Sequence, residues 1–249
     1  MRVLNYNNDF FFAAHFQGGC YIEFQPLCDG FNGMEIKLPD NVSIVTVANF
    51  PENCMLIKQL EKNGIPYLNE VEFGREWSNT LKPRYIRKAL NRVETEYVLI
   101  LDAMDILLTG DLSDIAERFN QTGRERIQTG MVKQGFDLKL LFNATKSNYP
   151  KLLIDKVWGR DFRGEYRYLN AGACFGYTAY AKEFYKKADM LVCEDIIYNP
   201  NHSEQMIVRH IFKDCTDEVD FDYECKIFQT FSKSELMVLD GKNEIYKIL

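Results

Sequence analysis

The segment Tyr97-Val-Leu-Ile-Leu-Asp-Ala-Met-Asp105 concentrates the chemistry of this chain. Five residues of an apolar run end in Asp102, and a second carboxylate follows at Asp105. Such a run predicts a buried strand, and in parallel α/β sheets ligands gather at the carboxyl ends of the strands. A continuing strand would put the two carboxylates on opposite faces, whereas a turn after Asp102 lets both converge on one cation. Two carboxylates do not complete a cage for Mg²⁺ or Mn²⁺. They suit a site in which a substrate diphosphate supplies further oxygens. The plainer alternative is a turn-capping Asp102 and a solvated Asp105.

The flanking sequence predicts the elements that would hold this segment. Ser43–Ala48 is a short β-branched run that reads as a buried strand, followed by a turn at Asn49 and Pro51. Apolar spacing predicts a helix over 53–63, stopped by Gly64, then a strand over Ile65–Val71. Pro83 opens a helix over 83–92, and Tyr97–Leu101 is the third strand. Strand–helix alternation at this spacing describes βαβ units and a mostly parallel sheet of Rossmann-like α/β class. A helix near 112–120, strands at Leu138–Phe142 and Tyr168–Gly176 and a helix over 178–192 continue it less regularly. The expected organisation is a single domain over 1–249, with a core at 42–230 and residues 1–40 as an N-terminal appendage.

Composition narrows the functional classes. The 249 residues carry 30 basic against 36 acidic side chains, a net charge of −6, without the basic footprint of a nucleic-acid binder. Seven cysteines (Cys20, Cys28, Cys54, Cys174, Cys193, Cys215, Cys225) show no two-residue spacing, and only three histidines accompany them, so no zinc site is expected. They read as reduced, mostly buried thiols. The apolar stretch Phe10–Ala14 is too short for a signal peptide, and no run approaches the roughly 18 apolar residues of a membrane span. A cytoplasmic protein without an integral membrane segment is therefore expected. Aromatics reach 14%, with 18 Phe and 14 Tyr, which suggests a large mixed core or a site built for rings and sugars.

Further segments stand in order over about 43–230: Val45-Thr-Val-Ala-Asn49; Trp77 and Lys82; Leu101-Asp-Ala-Met-Asp-Ile106; Phe142-Asn-Ala and Pro150; Tyr168-Leu-Asn-Ala-Gly-Ala-Cys-Phe-Gly-Tyr177; Glu204-Gln205; and Phe221-Asp-Tyr-Glu-Cys-Lys-Ile-Phe-Gln229. In that order and at compatible spacings they resemble the glycosyltransferase domain of the procollagen lysyl hydroxylases and their collagen galactosyltransferase relatives, which has the A-type glycosyltransferase (GT-A) fold. The chain departs from the family at three points. Met104 stands where a base-stacking tyrosine lies between the aspartates, and Thr145 where an acidic residue is expected. The His-Gly-Asn-Gly stretch that supplies the family's third metal ligand has no counterpart through Leu249.

The resemblance implies a hexosyltransferase that moves a sugar from a nucleotide diphosphate donor, a UDP-sugar, to a hydroxyl acceptor on a glycan or protein. Asp102 and Asp105 would hold Mn²⁺ or Mg²⁺, which neutralises charge on the departing diphosphate. Val47, Asn49, Trp77 and Lys82 become nucleotide-site candidates, Lys82 as a point charge for phosphate. Asn170-Ala-Gly172 would form a tight passage beside the donor sugar, where glycine lets backbone approach a ligand. Glu204 and Asp222 are candidates for contacting the sugar or deprotonating the acceptor. Tyr168, Phe175, Tyr177, Phe221, Tyr223 and Phe228 fall in matched segments and are expected near the sugar pocket. Two other readings compete. One is a catalytically inactive sugar- or nucleotide-binding relative. The other is a haloacid-dehalogenase-like phosphatase, whose paired aspartates are separated by one residue rather than the two found here.

Overall fold

A computed structural model describes residues 2–4, 9–22, 24–71, 78–130, 132, 135–147, 164–193, 203–232, 237–239 and 245–248. In chain order the strands are β1 (Arg2–Leu4), β2 (Ala13–Phe16), β3 (Val42–Val47), β4 (Tyr67–Leu68), β5 (Tyr97–Asp102), β6 (Ile106–Leu108), β7 (Leu140–Thr145), β8 (Tyr168–Tyr177), β9 (Val219–Phe221), β10 (Phe228–Phe231), β11 (Met237–Leu239) and β12 (Ile245–Ile248). The helices are α1 (Gln25–Asn32), α2 (Met55–Lys62), α3 (Lys82–Leu90), α4 (Ile115–Gln128), α5 (Thr178–Cys193) and α6 (Glu204–Phe212).

The central sheet runs β4-β3-β5-β8-β7-β9. Strands β3, β4 and β5 are parallel, β8 runs antiparallel to both β5 and β7, and β9 is parallel to β7. One strand, β8, therefore opposes the direction of the other five, and the sheet is mostly parallel. The α/β class expected from strand–helix alternation is the observed one. The antiparallel insertion of β8 is what the local pattern did not reveal, because a strand buried on both faces reads alike in either direction.

Alternation along the strands divides the core. Val98 and Ile100 face one side, where α3, α5 and α6 bury Ile86, Ala89, Phe184, Tyr185, Ile207 and Ile211. Tyr97, Leu99 and Leu101 face the other, against Leu56 and Leu60 of α2 and Ile115 and Phe119 of α4. Gly64, at φ +66°, ends the α2 turn in the left-handed region that glycine tolerates. α4 starts three residues later than expected and runs to Gln128. Gly123 lies within it, where an added Cβ would stand 3.1 Å from the Leu138 side chain, so α4 packs tightly on that segment.

Within the first 40 residues, expected as an appendage, β2 and α1 bury side chains in the core. β2 is the middle strand of a second sheet, parallel to β10 and antiparallel to β6. Phe11, Phe16, Phe24 and Phe31 form a further cluster with Leu107 and Phe231, and the Phe16 and Phe231 rings stack at 5.1 Å. Strand β1 lies beside β12, which pairs in turn with β11. Of the rings expected near a sugar pocket, Phe175, Phe221, Tyr223 and Phe228 are buried core residues. Tyr97, Phe175 and Tyr177 stack together, and Phe119 meets them edge-on. The aromatic excess thus serves packing. No disulfide joins any of the six cysteines with described side chains, of which five are buried.

Candidate active site

Strand register fixes where the polar residues meet. Val47 at the end of β3 pairs with Asp102 at the end of β5. Ala173 of β8 pairs with Leu101, so Gly172 and Asn170 reach the same edge. The chain turns at Ala103–Asp105 and leaves as β6, whose pairing sets His15 of β2 opposite Ile106. The turn brings Asp102 and Asp105 together, and β2 adds His15. From the remaining side, the Ser203 hydroxyl accepts from the Gln205 amide and starts α6, presenting Glu204 at the helix N-terminus.

A cavity of about 770 Å³ occupies this edge. Of the residues named from sequence, Val47, Asn49, Lys82, Asp102, Asp105, Asn170, Gly172 and Glu204 line it. Trp77 and Pro150 lie outside the described residues. Asp222 is not among the lining residues. It is fully buried, and its carboxylate accepts the backbone amides of Lys226, Ile227 and Phe228. Burial raises its pKa against the pull of those three amides, and the geometry is that of a loop organiser.

Lys82 sits between two carboxylates, with Nζ 2.8 Å from Asp102 Oδ1 and 3.0 Å from Glu204 Oε1. Burial works against its charge, but the two carboxylates outweigh it and hold the ammonium firmly protonated. Asp105 Oδ2 lies 3.4 Å from His15 Nε2. Burial opposes ionisation of that pair too, yet their mutual attraction raises the His15 pKa and lowers that of Asp105. Asp102 goes the other way. Burial, with Glu204 and Asp105 adding to it, pushes its carboxyl to about 6 despite Lys82. Three carboxylates share this pocket with one ammonium and one imidazole, so the site is short of positive charge.

His15 was not visible as a site residue in the sequence. The one available signal was a lone polar residue in the apolar run Phe11–Phe16. Its Nδ1 lies 3.1 Å from Asn143 Nδ2. Asn143 Oδ1 accepts from the Ala144 amide at 2.8 Å, so its Nδ2 donates to the ring. The proton of the neutral imidazole then resides on Nε2, toward Asp105. The β7–β8 register shifts between Phe142 and Asn143, an irregularity of the kind that re-aims a side chain.

His15, Asp102 and Asp105 each offer a ligand atom, and these lie within 4.8 Å of one another. Bonds of about 2.0–2.2 Å to a small divalent ion require donors roughly 3–4 Å apart, so a slight contraction suffices. An imidazole with two carboxylates is a donor set suited to Mn²⁺ and similar ions. Asp102 would use Oδ2, since Lys82 holds Oδ1, and coordination by His15 Nε2 would require the ring proton on Nδ1, with Asn143 turned to offer its oxygen there. Gly172 makes room for the cluster. A Cβ there would stand 2.9 Å from His15 Cε1, 3.0 Å from Asn170 Oδ1 and 3.1 Å from Asp102 Oδ2.

The cavity has one apolar side, where Phe50 and Met104 are 61% and 53% exposed and Met104 Sδ lies 3.4 Å from Cys54 Sγ. Among the described residues, Phe50 is the one aromatic of the lining. Gln17 and Ser147, both unforeseen from sequence, line another part.

No protein-family model matches the chain, and no curated protein matches it. Among solved structures, the chain is similar to the crystal structure of a glycosyltransferase involved in the glycosylation of the major capsid of PBCV-1. The two share 14% identity over 72% of this chain and 81% of that chain, with a TM-score of 0.38. At that level of overlap the likeness carries no weight for the chemistry, which rests on the site's own geometry.

Proposed function

We propose that the chain is a metal-dependent glycosyltransferase that moves a hexose from a nucleotide diphosphate donor, a UDP-sugar, to a hydroxyl acceptor. The observation that carries this reading is one cavity at the carboxyl ends of β3 and β5, in which two carboxylates and an imidazole face one another beside Lys82 and Glu204. A negatively charged pocket is an unfavourable host for a diphosphate unless a cation intervenes. A bound Mn²⁺ or Mg²⁺ would supply charge neutralisation to the departing diphosphate.

The chain's own residues carry the rest. Lys82 can transfer one of its two hydrogen bonds from carboxylate to phosphate, adding a fixed positive charge at the leaving group. That shift would release Glu204, which takes the acceptor proton as the acceptor oxygen bonds to the sugar anomeric carbon and the bond from that carbon to the diphosphate breaks. Val47, Asn49, Phe50 and Met104 line the part of the cavity suited to the nucleoside. Asn170 and Gly172 border the reacting centre. Asp222, held by backbone amides, has no role in this scheme.

Thermal unfolding with UDP, with and without Mn²⁺, tests the reading. A ligand that binds only the native state raises the melting temperature, so a shift requiring both components is expected, and Asp102→Ala should abolish it. No shift with UDP or any other nucleoside diphosphate would overturn the proposal. An inactive nucleotide-binding relative, which Met104 in place of a stacking ring favours, would give the shift but never release UDP from a UDP-sugar.

A further inference from the structure

The chain just past β2 contributes a second residue to the cavity besides His15. Gln17 opens the short 3-10 turn Gln17–Ile22 that follows the strand. The Gln17 carboxamide is anchored through its oxygen. Oε1 accepts the Thr145 hydroxyl at 2.8 Å and the Ser147 hydroxyl at 3.2 Å. The Thr145 hydroxyl oxygen in turn accepts the Ser147 amide, so its proton is committed to Gln17. With the oxygen so occupied, the Nε2 donors make no hydrogen bond among the described residues, and the side chain lines the cavity.

Asn170 repeats the arrangement across the same space. It is 4% exposed, its Oδ1 accepts the Gly172 amide at 2.8 Å, and its Nδ2 has no partner among the described residues while it too lines the cavity. Two carboxamides thus present NH₂ donors, and Ser147 a hydroxyl oxygen able to accept, to the cavity they line. Ammonium groups would suit a phosphate. Neutral donors with fixed direction suit hydroxyl oxygens.

We infer that Gln17, with Asn170 and Ser147, forms the wall that recognises the hydroxyl groups of the donor sugar, and that Gln17 is a specificity-determining residue. This rests on the transferase reading above. A diphosphate centred on His15, Asp102 and Asp105 would have its nucleoside toward Val47–Phe50 and its sugar toward Gln17.

The test compares UDP with UDP-glucose, UDP-galactose and UDP-N-acetylglucosamine, each with Mn²⁺, by calorimetric titration of the wild type, Gln17→Leu and Ser147→Ala. The wild type should bind one UDP-hexose more tightly than UDP. Gln17→Leu should lose about three- to tenfold of that preference, the value of one or two neutral hydrogen bonds, and keep its affinity for UDP. Ser147→Ala, which leaves the strand untouched, should lose a smaller part in the same direction. A preference retained in both variants overturns the inference, as does a wild type that binds all three sugars no better than UDP. A Gln17→Leu effect confined to the acceptor KM in turnover would also overturn it, by moving the wall to the acceptor. A wild type that binds no UDP at all is a different result, since it removes the donor reading itself.

Discussion

Asp102 holds a charge that the folded protein without metal disfavours. Its carboxyl ionises near 6 in the fold against 3.8 for an ordinary aspartate. A raised acid pKa means that the native state binds more protons than the unfolded chain between those values, so stability falls as pH rises from about 4 to 6 and the cost is fully present at neutral pH. Asp102→Asn should therefore raise the melting temperature of metal-free protein at pH 7.5, by the equivalent of about 1–3 kcal/mol, leave it unchanged near pH 3.5, and lose the response to Mn²⁺. Calorimetric melting at the two pH values checks the sign. Gly172→Ala is expected to act through space alone, because its methyl group would press on His15, Asn170 and Asp102 at 2.9–3.1 Å. It should weaken Mn²⁺ binding at least tenfold in a titration, with a stability loss of about 1–3 kcal/mol from overpacking. Asp222→Ala should strip three backbone amides of their acceptor and cost about 2–4 kcal/mol in denaturant unfolding, with the metal response retained in the protein that remains folded.

At the scale of elements, the turn between β5 and β6 is the decisive local structure, since it converts a three-residue spacing into convergence. That turn was one of two possibilities open to the sequence, and β2 is what selects it. The Asp105 carbonyl accepts the Phe16 amide at 2.7 Å, and β6 lies alongside β2. Helix α4 is fastened to the far end of the sheet by a buried ion pair. Arg126 is 2% exposed, bonds Asp220 at 3.2 Å and Glu224 at 2.5 Å, and lies over the Tyr223 ring at 3.5 Å. Removing one partner leaves a buried charge uncompensated, so Asp220→Ala should cost about 3–5 kcal/mol in denaturant unfolding. The local elements were largely legible. β3, α2, α3, β5 and α5 stand within a few residues of where apolar spacing, Pro83 and Gly64 put them. What was not legible depends on distant partners. The β10-β2-β6 sheet uses short strands without a clear period, and its order joins residues more than 200 positions apart. His15 and Gln17 acquire meaning only when that sheet forms, whereas Asp102 and Asp105 could be named from type and spacing, and Lys82, Asn170, Gly172 and Glu204 from the family resemblance.

For the molecule as a whole, the rings explain stability rather than recognition. Phe231 stacks on Phe16 and touches Phe11 and Phe24, joining the two ends of the described body. Phe231→Ala should lower unfolding free energy by about 3–5 kcal/mol, the cost of emptying a large buried site. The place of β2 has a consequence in time. Ala13–Phe16 leaves the ribosome some 210 residues before β10, its parallel neighbour. Pairings this distant in sequence close slowly, so the nascent chain carries His15 and both aspartates long before the β10-β2-β6 sheet is complete. Completion of that sheet waits for β10, and a polypeptide interrupted before Phe228 would lack the parallel neighbour that holds β2 on its second side.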